Sequence, residues 1–171
     1  LSIERQEILL KRLPPKLDGL RIVHLSDFHY GPLVNPKHLE RAVQAANDLR
    51  PDVIALTGDY ISQDRMYAAP CAEVVGKLRA RHGVYAVLGN HDHWSRKADA
   101  IARKLESVGV RLLRNQSAIL KTGSGERFAV GGMESVWAGR ADFDAVRRGA
   151  GSRAPILLGW HEPDPFDWIR D

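Results

Sequence analysis

Four short apolar runs each stop at a polar residue, and that recurrence constrains the fold of these 171 residues more than anything else in them. Leu20 to Leu25 leads to Asp27, Val53 to Leu56 to Asp59, Val84 to Leu88 to Asn90, and Ile156 to Leu158 to His161. Apolar runs this short read as buried strands of an α/β sheet. Between the first two, Leu39, Val43 and Ala46 repeat at helical spacing from about Pro36 to Leu49, with Asn35 as N-cap before a proline at N1. Further helices are expected around Cys71 to Arg81 and around Lys97 to Val108, the latter stopped by Gly109. Strands are also expected over Arg111 to Asn115, Ala118 to Lys121 and Phe128 to Val130, with antiparallel neighbours, a turn at Thr122 to Gly125, and a surface loop from Gly149 to Arg153.

Ligands of open α/β sheets bind beyond the carboxyl ends of the strands, which is where these polar clusters fall. Asp27 and His29, two residues apart at a strand end, are expected to project to one face and reach one metal ion together. Gly58 lets the backbone come close, and the Asp59 carboxylate has two oxygens with which to bridge two ions. Asn90 offers a neutral oxygen ligand, while a turn aims the adjacent His91 at a substrate, with Asp92 fixing its tautomer and favouring its protonated form. His161 completes the set from the fourth strand end. Any one of these residues is ordinarily a cap, a turn former or a packed polar group; six of them at four strand ends point to a common centre.

Composition removes several alternatives. Hydrophobic residues at 44% and charged residues at 27%, with no apolar run of about 18, exclude a disordered chain and a helical membrane span. The net charge of +4 comes from scattered basic residues; it is a mild bias toward anionic partners, anionic lipid headgroups included, and no strong nucleic-acid signal. The single Cys71 has no internal disulfide partner and is expected to pack as a small apolar side chain. Cytoplasmic or membrane-peripheral localisation is the expectation.

Taken in order, Asp27-Phe-His29, Gly58-Asp59, Gly89-Asn-His-Asp92 and the isolated His161 resemble the calcineurin-like metallophosphoesterase superfamily. The surrounding text, Leu20-Arg-Ile-Val-His-Leu-Ser-Asp-Phe-His-Tyr-Gly31 and Ile156-Leu-Leu-Gly-Trp-His-Glu-Pro-Asp164, is similar to the branch that contains bacterial membrane-associated phosphoesterases and UDP-2,3-diacylglucosamine pyrophosphohydrolases. The resemblance implies a single domain over residues 1–171, an α/β/β/α sandwich that is C-terminally incomplete, because the family's Gly-His-x-His segment has no counterpart here. It also implies a dinuclear centre of two divalent ions: Asp27, His29 and Asp59 on the first, Asp59, Asn90 and His161 on the second. His91 would contact the phosphate and protonate the leaving oxygen. Imidazole, carboxylate and amide ligands suit Mn, Fe, Zn, Co or Ni.

The expected function is hydrolysis of phosphoester or pyrophosphate bonds in a phosphorylated small molecule or lipid-linked substrate. A catalytically impaired binding or scaffold module on the same fold is the alternative. The remaining histidines read as structural: His24 packed or supporting a ligand, His38 and His82 exposed. His93 and Trp94 are candidates for the substrate mouth, and Gln63 to Pro70 and Met133 to Arg140 are candidate specificity loops.

Overall fold

The computed structural model describes residues 1–62, 64–94, 98–123, 125–151, 154–162 and 164. Among them the strands form two sheets. The first is all parallel, in the order β1 (Ile22–Leu25), β2 (Val53–Leu56), β3 (Val84–Ala86), β4 (Arg111–Leu112). The helices α1 (Pro36–Asp48), α2 (Ala68–Val75), α3 (Asn90–Trp94) and α4 (Ala98–Ser107) lie in its crossovers. Asn35 caps α1 as its sequence announces, its side-chain oxygen accepting from Lys37 N at 3.0 Å.

Alternation along the strands assigns the two faces of this sheet. Ile54, Leu56, Val84, Ala86 and Leu88 pack with Leu39 and Val43 of α1, Cys71 and Val75 of α2, and Ile101 and Leu105 of α4. Val53 and Tyr85 point the other way, into a second cluster with Leu113, Leu120, Phe128 and Val130. That second face meets the other sheet, in which β6 (Arg127–Gly132) lies between antiparallel β5 (Gln116–Lys121) and parallel β7 (Ile156–Gly159). Gly132 marks the close contact between sheets, since a Cβ there would lie 2.3 Å from that of Leu113. Helix α5 (Phe143–Ala150) covers the outer face, with Val146 against Gly131. The layers are therefore α/β/β/α, as expected.

Several sequence expectations need correction. The Arg111 strand joins the first sheet in parallel, paired with β3, and among the described residues only β5 and β6 are antiparallel neighbours. β1 is not a fully buried strand: it pairs only with β2 among the described residues, and Ile22 and His24 are exposed. β7 is half-buried and belongs to the second sheet. Helix α2 begins at Ala68 and ends at Val75, because Gly76 packs tightly against Val108 and the chain turns there. Gly149 and Ala150 are the last turn of α5, capped at its start by Asp142, which accepts from Ala145 N. Lys97, Ser124 and residues 165–171, on which parts of the helix, turn and C-terminal expectations fall, lie outside the described residues.

Candidate metal centre

The segments that follow β1 and β2 leave the sheet side by side. Asp27 N donates to Gly58 O at 3.1 Å, His29 N to Asp59 O at 2.9 Å and Tyr30 N to Tyr60 O at 2.9 Å. Within this pairing Asp27, His29 and Asp59 all adopt the left-handed conformation, at φ of 56°, 42° and 57°. Asp and His visit that region more readily than most residues but at a cost of about 1–3 kcal/mol each. Asp27 and His29 do come together, as the sequence suggests, yet the cause is this pair of backbone kinks rather than the alternation of a regular strand.

Two glycines bring the second and third loops into contact. A Cβ on Gly58 would lie 2.4 Å from Gly89 N, and one on Gly89 would lie 2.2 Å from Asp59 Oδ1, so any side chain at either position would separate the loops. Across that contact the fully buried Asp92 carboxylate accepts from Gly89 N at 2.9 Å, Asp59 N at 2.9 Å and Tyr60 N at 3.0 Å. Burial pushes the Asp92 carboxyl up to about 6, against the pull of those three donors. Asp92 thus ties two strand ends together, a role that reading it only as a partner of His91 does not reveal.

Asp59, 2% exposed, is the centre of the cluster. Its Oδ1 accepts from His91 N at 3.0 Å, which turns Oδ2 toward three imidazoles. Nε2 of His29 and of His161 each lie 3.5 Å from Oδ2, and Nε2 of His91 lies 4.0 Å away. His29 Nε2 is also 3.6 Å from Asp27 Oδ1. Burial raises the Asp59 carboxyl, but His161 and His91 outweigh it and hold the group below its ordinary value.

His161 arrives from the second sheet, just beyond β7, and crosses to the first. Its Nδ1 lies 2.5 Å from Thr57 O. A carbonyl only accepts, so Nδ1 carries a proton and Nε2 faces inward, 3.0 Å from Asn90 Oδ1. The Asp59 carboxylate, foremost, lifts this imidazole to about 9 despite burial. Thr57 is itself held: His24 Nε2 lies 2.7 Å from its hydroxyl, which donates to Ser26 Oγ at 2.9 Å. His24 is therefore an exposed residue supporting the loop, not a packed one.

Sequence reasoning missed Glu134. Buried at the end of β6, it meets His93 Nε2 at 2.9 Å and Arg114 Nε at 2.5 Å, joining α3 to the second sheet. These partners overcome its burial and hold its carboxyl down at about 2. The arginine at 114 and the acid at 134 are the signal, but nothing in their spacing says that they meet.

The donors fall into two groups that share Asp59, namely His29, Asp59 and His91, and Asp27, Asp59 and His161, with ligand atoms within 4.8 Å of one another. Ligands about 2.0–2.2 Å from a common transition ion stand roughly 3–3.5 Å apart, close to the 3.5–3.6 Å between these nitrogens and oxygens. The residues present fit divalent cations.

The profile of the calcineurin-like phosphoesterase family matches residues 20–169. The chain belongs to that family, whose members are metal-dependent hydrolases of phosphoester bonds. A transmembrane protein with metallophosphoesterase domain from Danio rerio is 32% identical over 92% of this chain and 38% of its own length. Phosphodiesterase YaeI of Escherichia coli (strain K12) is 28% identical over 88% of this chain and 56% of its own. The UDP-2,3-diacylglucosamine pyrophosphatase LpxG of Chlamydia muridarum (strain MoPn / Nigg) is 32% identical over 57% of this chain and 31% of its own. The chain spans less than two thirds of the length of each. Among the described residues no helix is long and apolar enough to cross a membrane.

Proposed function

We propose that this chain carries a phosphodiester- or pyrophosphate-hydrolysing site that binds two divalent ions, with Mn, Fe, Zn, Co or Ni compatible with its donors. The observation that carries this reading is the shared carboxylate: Asp59 Oδ2 faces three imidazoles, and both donor groups need it. Asp27, His29 and Asp59 would hold one ion and Asp59, Asn90 and His161 the other. Two such ions would supply Lewis acidity toward the phosphoryl oxygens and would activate water for attack near neutral pH.

The protein's part is orientation and proton delivery. The His91 backbone N–H on Oδ1 fixes the Asp59 carboxylate, and the Thr57 carbonyl selects the tautomer of His161 that presents Nε2 inward. His91 is one of the imidazoles facing Asp59 Oδ2, at 4.0 Å the farthest of the three, and stands outside the proposed ligand set; it would donate a proton from Nε2 to the departing oxygen. Asp92 holds the loop that carries it. Substrates are phosphorylated small molecules or lipid-linked phosphodiesters. In the latter case the chain works at a membrane surface, a reading supported by the names of the Danio rerio and Chlamydia muridarum relatives.

Hydrolysis of bis(p-nitrophenyl) phosphate with added manganese tests the proposal. The expected result is chelator-sensitive turnover that falls about 10²- to 10⁴-fold in His91→Ala while manganese still binds, and disappears in Asp59→Asn together with manganese binding. Turnover that survives Asp59→Asn would sink the shared-carboxylate reading. Manganese binding without turnover would favour a binding module on the same fold.

A further inference from the structure

Four rings run outward from the carboxylate cluster. His29 and His91 meet edge to face at 4.9 Å between centroids, His91 and Trp94 at 4.7 Å, and Trp94 and Trp137 at 6.2 Å with planes 79° apart. The last two indoles are 59% and 66% exposed. Scattered single exposed apolar residues are ordinary, but two contiguous indoles leading from a buried charged centre are not what packing alone produces.

Their backbones are fixed while their rings face outward. Trp137 sits on a single 3-10 turn, Val136–Ala138. The preceding Ser135 is fully buried; its hydroxyl accepts from Trp137 N at 3.2 Å and donates to Glu162 Oε1 at 2.5 Å. Gly139, in the left-handed conformation at φ 65°, caps the turn by donating its N–H to Val136 O. Trp94 ends α3, which the His93–Glu134 contact holds against β6. Rigid, exposed aromatic rings on a pinned backbone are suited to contact area at low cost in conformational entropy.

We propose that Trp94 and Trp137 form the wall of a leaving-group subsite that takes a planar aromatic substituent of the phosphoester. The inference rests on the phosphoesterase reading, because it needs the departing oxygen at His91. With that oxygen at Nε2, its substituent extends past the His91 ring onto Trp94 and into the near-perpendicular corner with Trp137. An open corner of two indoles offers a flat ring one face to stack on and one edge to meet. An acyl chain gains chiefly from enclosure on all sides, which an open corner lacks.

Calorimetric titration of the manganese-loaded chain with methylphosphonate, phenylphosphonate and cyclohexylphosphonate tests this without any turnover. Phenylphosphonate is expected to bind about tenfold or more tighter than methylphosphonate, with cyclohexylphosphonate well behind it. Trp94→Ala and Trp137→Ala should each cut the phenyl advantage to about threefold or less and leave methylphosphonate affinity unchanged, while Trp137→Phe keeps most of it. Equal binding of phenyl and methyl, or cyclohexyl matching phenyl, overturns the aromatic subsite alone. Failure of methylphosphonate to bind overturns the phosphoesterase reading and the subsite with it.

Discussion

The same parallel strands end in two kinds of loop. Beyond their carboxyl ends, Asp27, His29 and Asp59 all sit at positive φ, and a buried carboxylate oxygen faces three imidazole nitrogens at 3.5 to 4.0 Å. Beyond their amino ends the polar groups answer one another locally. Asp52 accepts from Arg21 N at 2.9 Å and pairs with Arg81 at 3.6 Å. The Asn47 side chain donates to Lys77 O and accepts from Arg79 N. The first end concentrates backbone strain and uncancelled ligand capacity; the second is an ordinary set of helix-to-strand turns. The difference separates what the fold needs from what chemistry demands of it, since the strands and helices are common to both ends.

If the paired loops after β1 and β2 are held by the loop after β3, removing that tie should be costly. Asp92→Ala leaves the Gly89, Asp59 and Tyr60 N–H groups buried without their acceptor, an expected loss of about 3 kcal/mol or more in urea unfolding. Asp92→Asn keeps one acceptor oxygen and should lose less. A cost for the alanine below about 1 kcal/mol would mean that the loops hold themselves, and the contrast between the two ends would weaken.

Glu134 extends the same support to the second sheet, and pH exposes it. Its folded carboxyl, held down to about 2 from an ordinary 4.5, contributes stability that is fully present above pH 4.5 and is lost as pH falls through about 2. With its side chain 4% exposed, the contribution is on the order of 2–3 kcal/mol. Comparing wild type with Glu134→Gln by denaturant unfolding isolates it from the other carboxylates. The wild type should be the more stable at pH 6, and the gap should close between pH 4.5 and 2. A gap that stays constant would assign Glu134 a packing role instead.

How much of this is legible in the sequence depends on whether the determinant is local. The Asn35 cap, the spacing of Leu39, Val43 and Ala46, and the Gly109 stop depend on neighbours in the chain, and they appear where expected. The grouping of Asp27, His29, Asp59, Asn90 and His161 was also readable, because each follows an apolar run. What was hidden is pairing at long range. No periodicity tells that β7 joins β6, so that His161 crosses from another sheet, or that a strand of two residues at Arg111 pairs in parallel with β3. Asp142 and the Val146–Ala150 spacing do mark α5, but eight residues ending beside glycines carry a weak helical signal. The positive φ of Asp27, His29 and Asp59 leaves only a weak sequence sign, because Asp and His visit that conformation more readily than most residues but only glycine adopts it freely.

That hidden strain supports the finest test of the contrast. Arg50 also has positive φ, 48°, but at the opposite end, just beyond the Leu49 C-cap of α1. Arg50→Gly and Asp27→Gly each relieve a left-handed side chain, while a more flexible unfolded chain takes back part of the gain. Both should therefore stabilise the fold by about 0.5–1 kcal/mol, read as a small rise in Tm. Only Asp27→Gly should then weaken manganese binding, because only there does the strained residue supply an oxygen facing an imidazole. If Asp27→Gly instead destabilises the metal-free chain, the Asp27–His29 contact outweighs the backbone cost, and the conformation is held by its own side chains rather than by the paired loops beneath them.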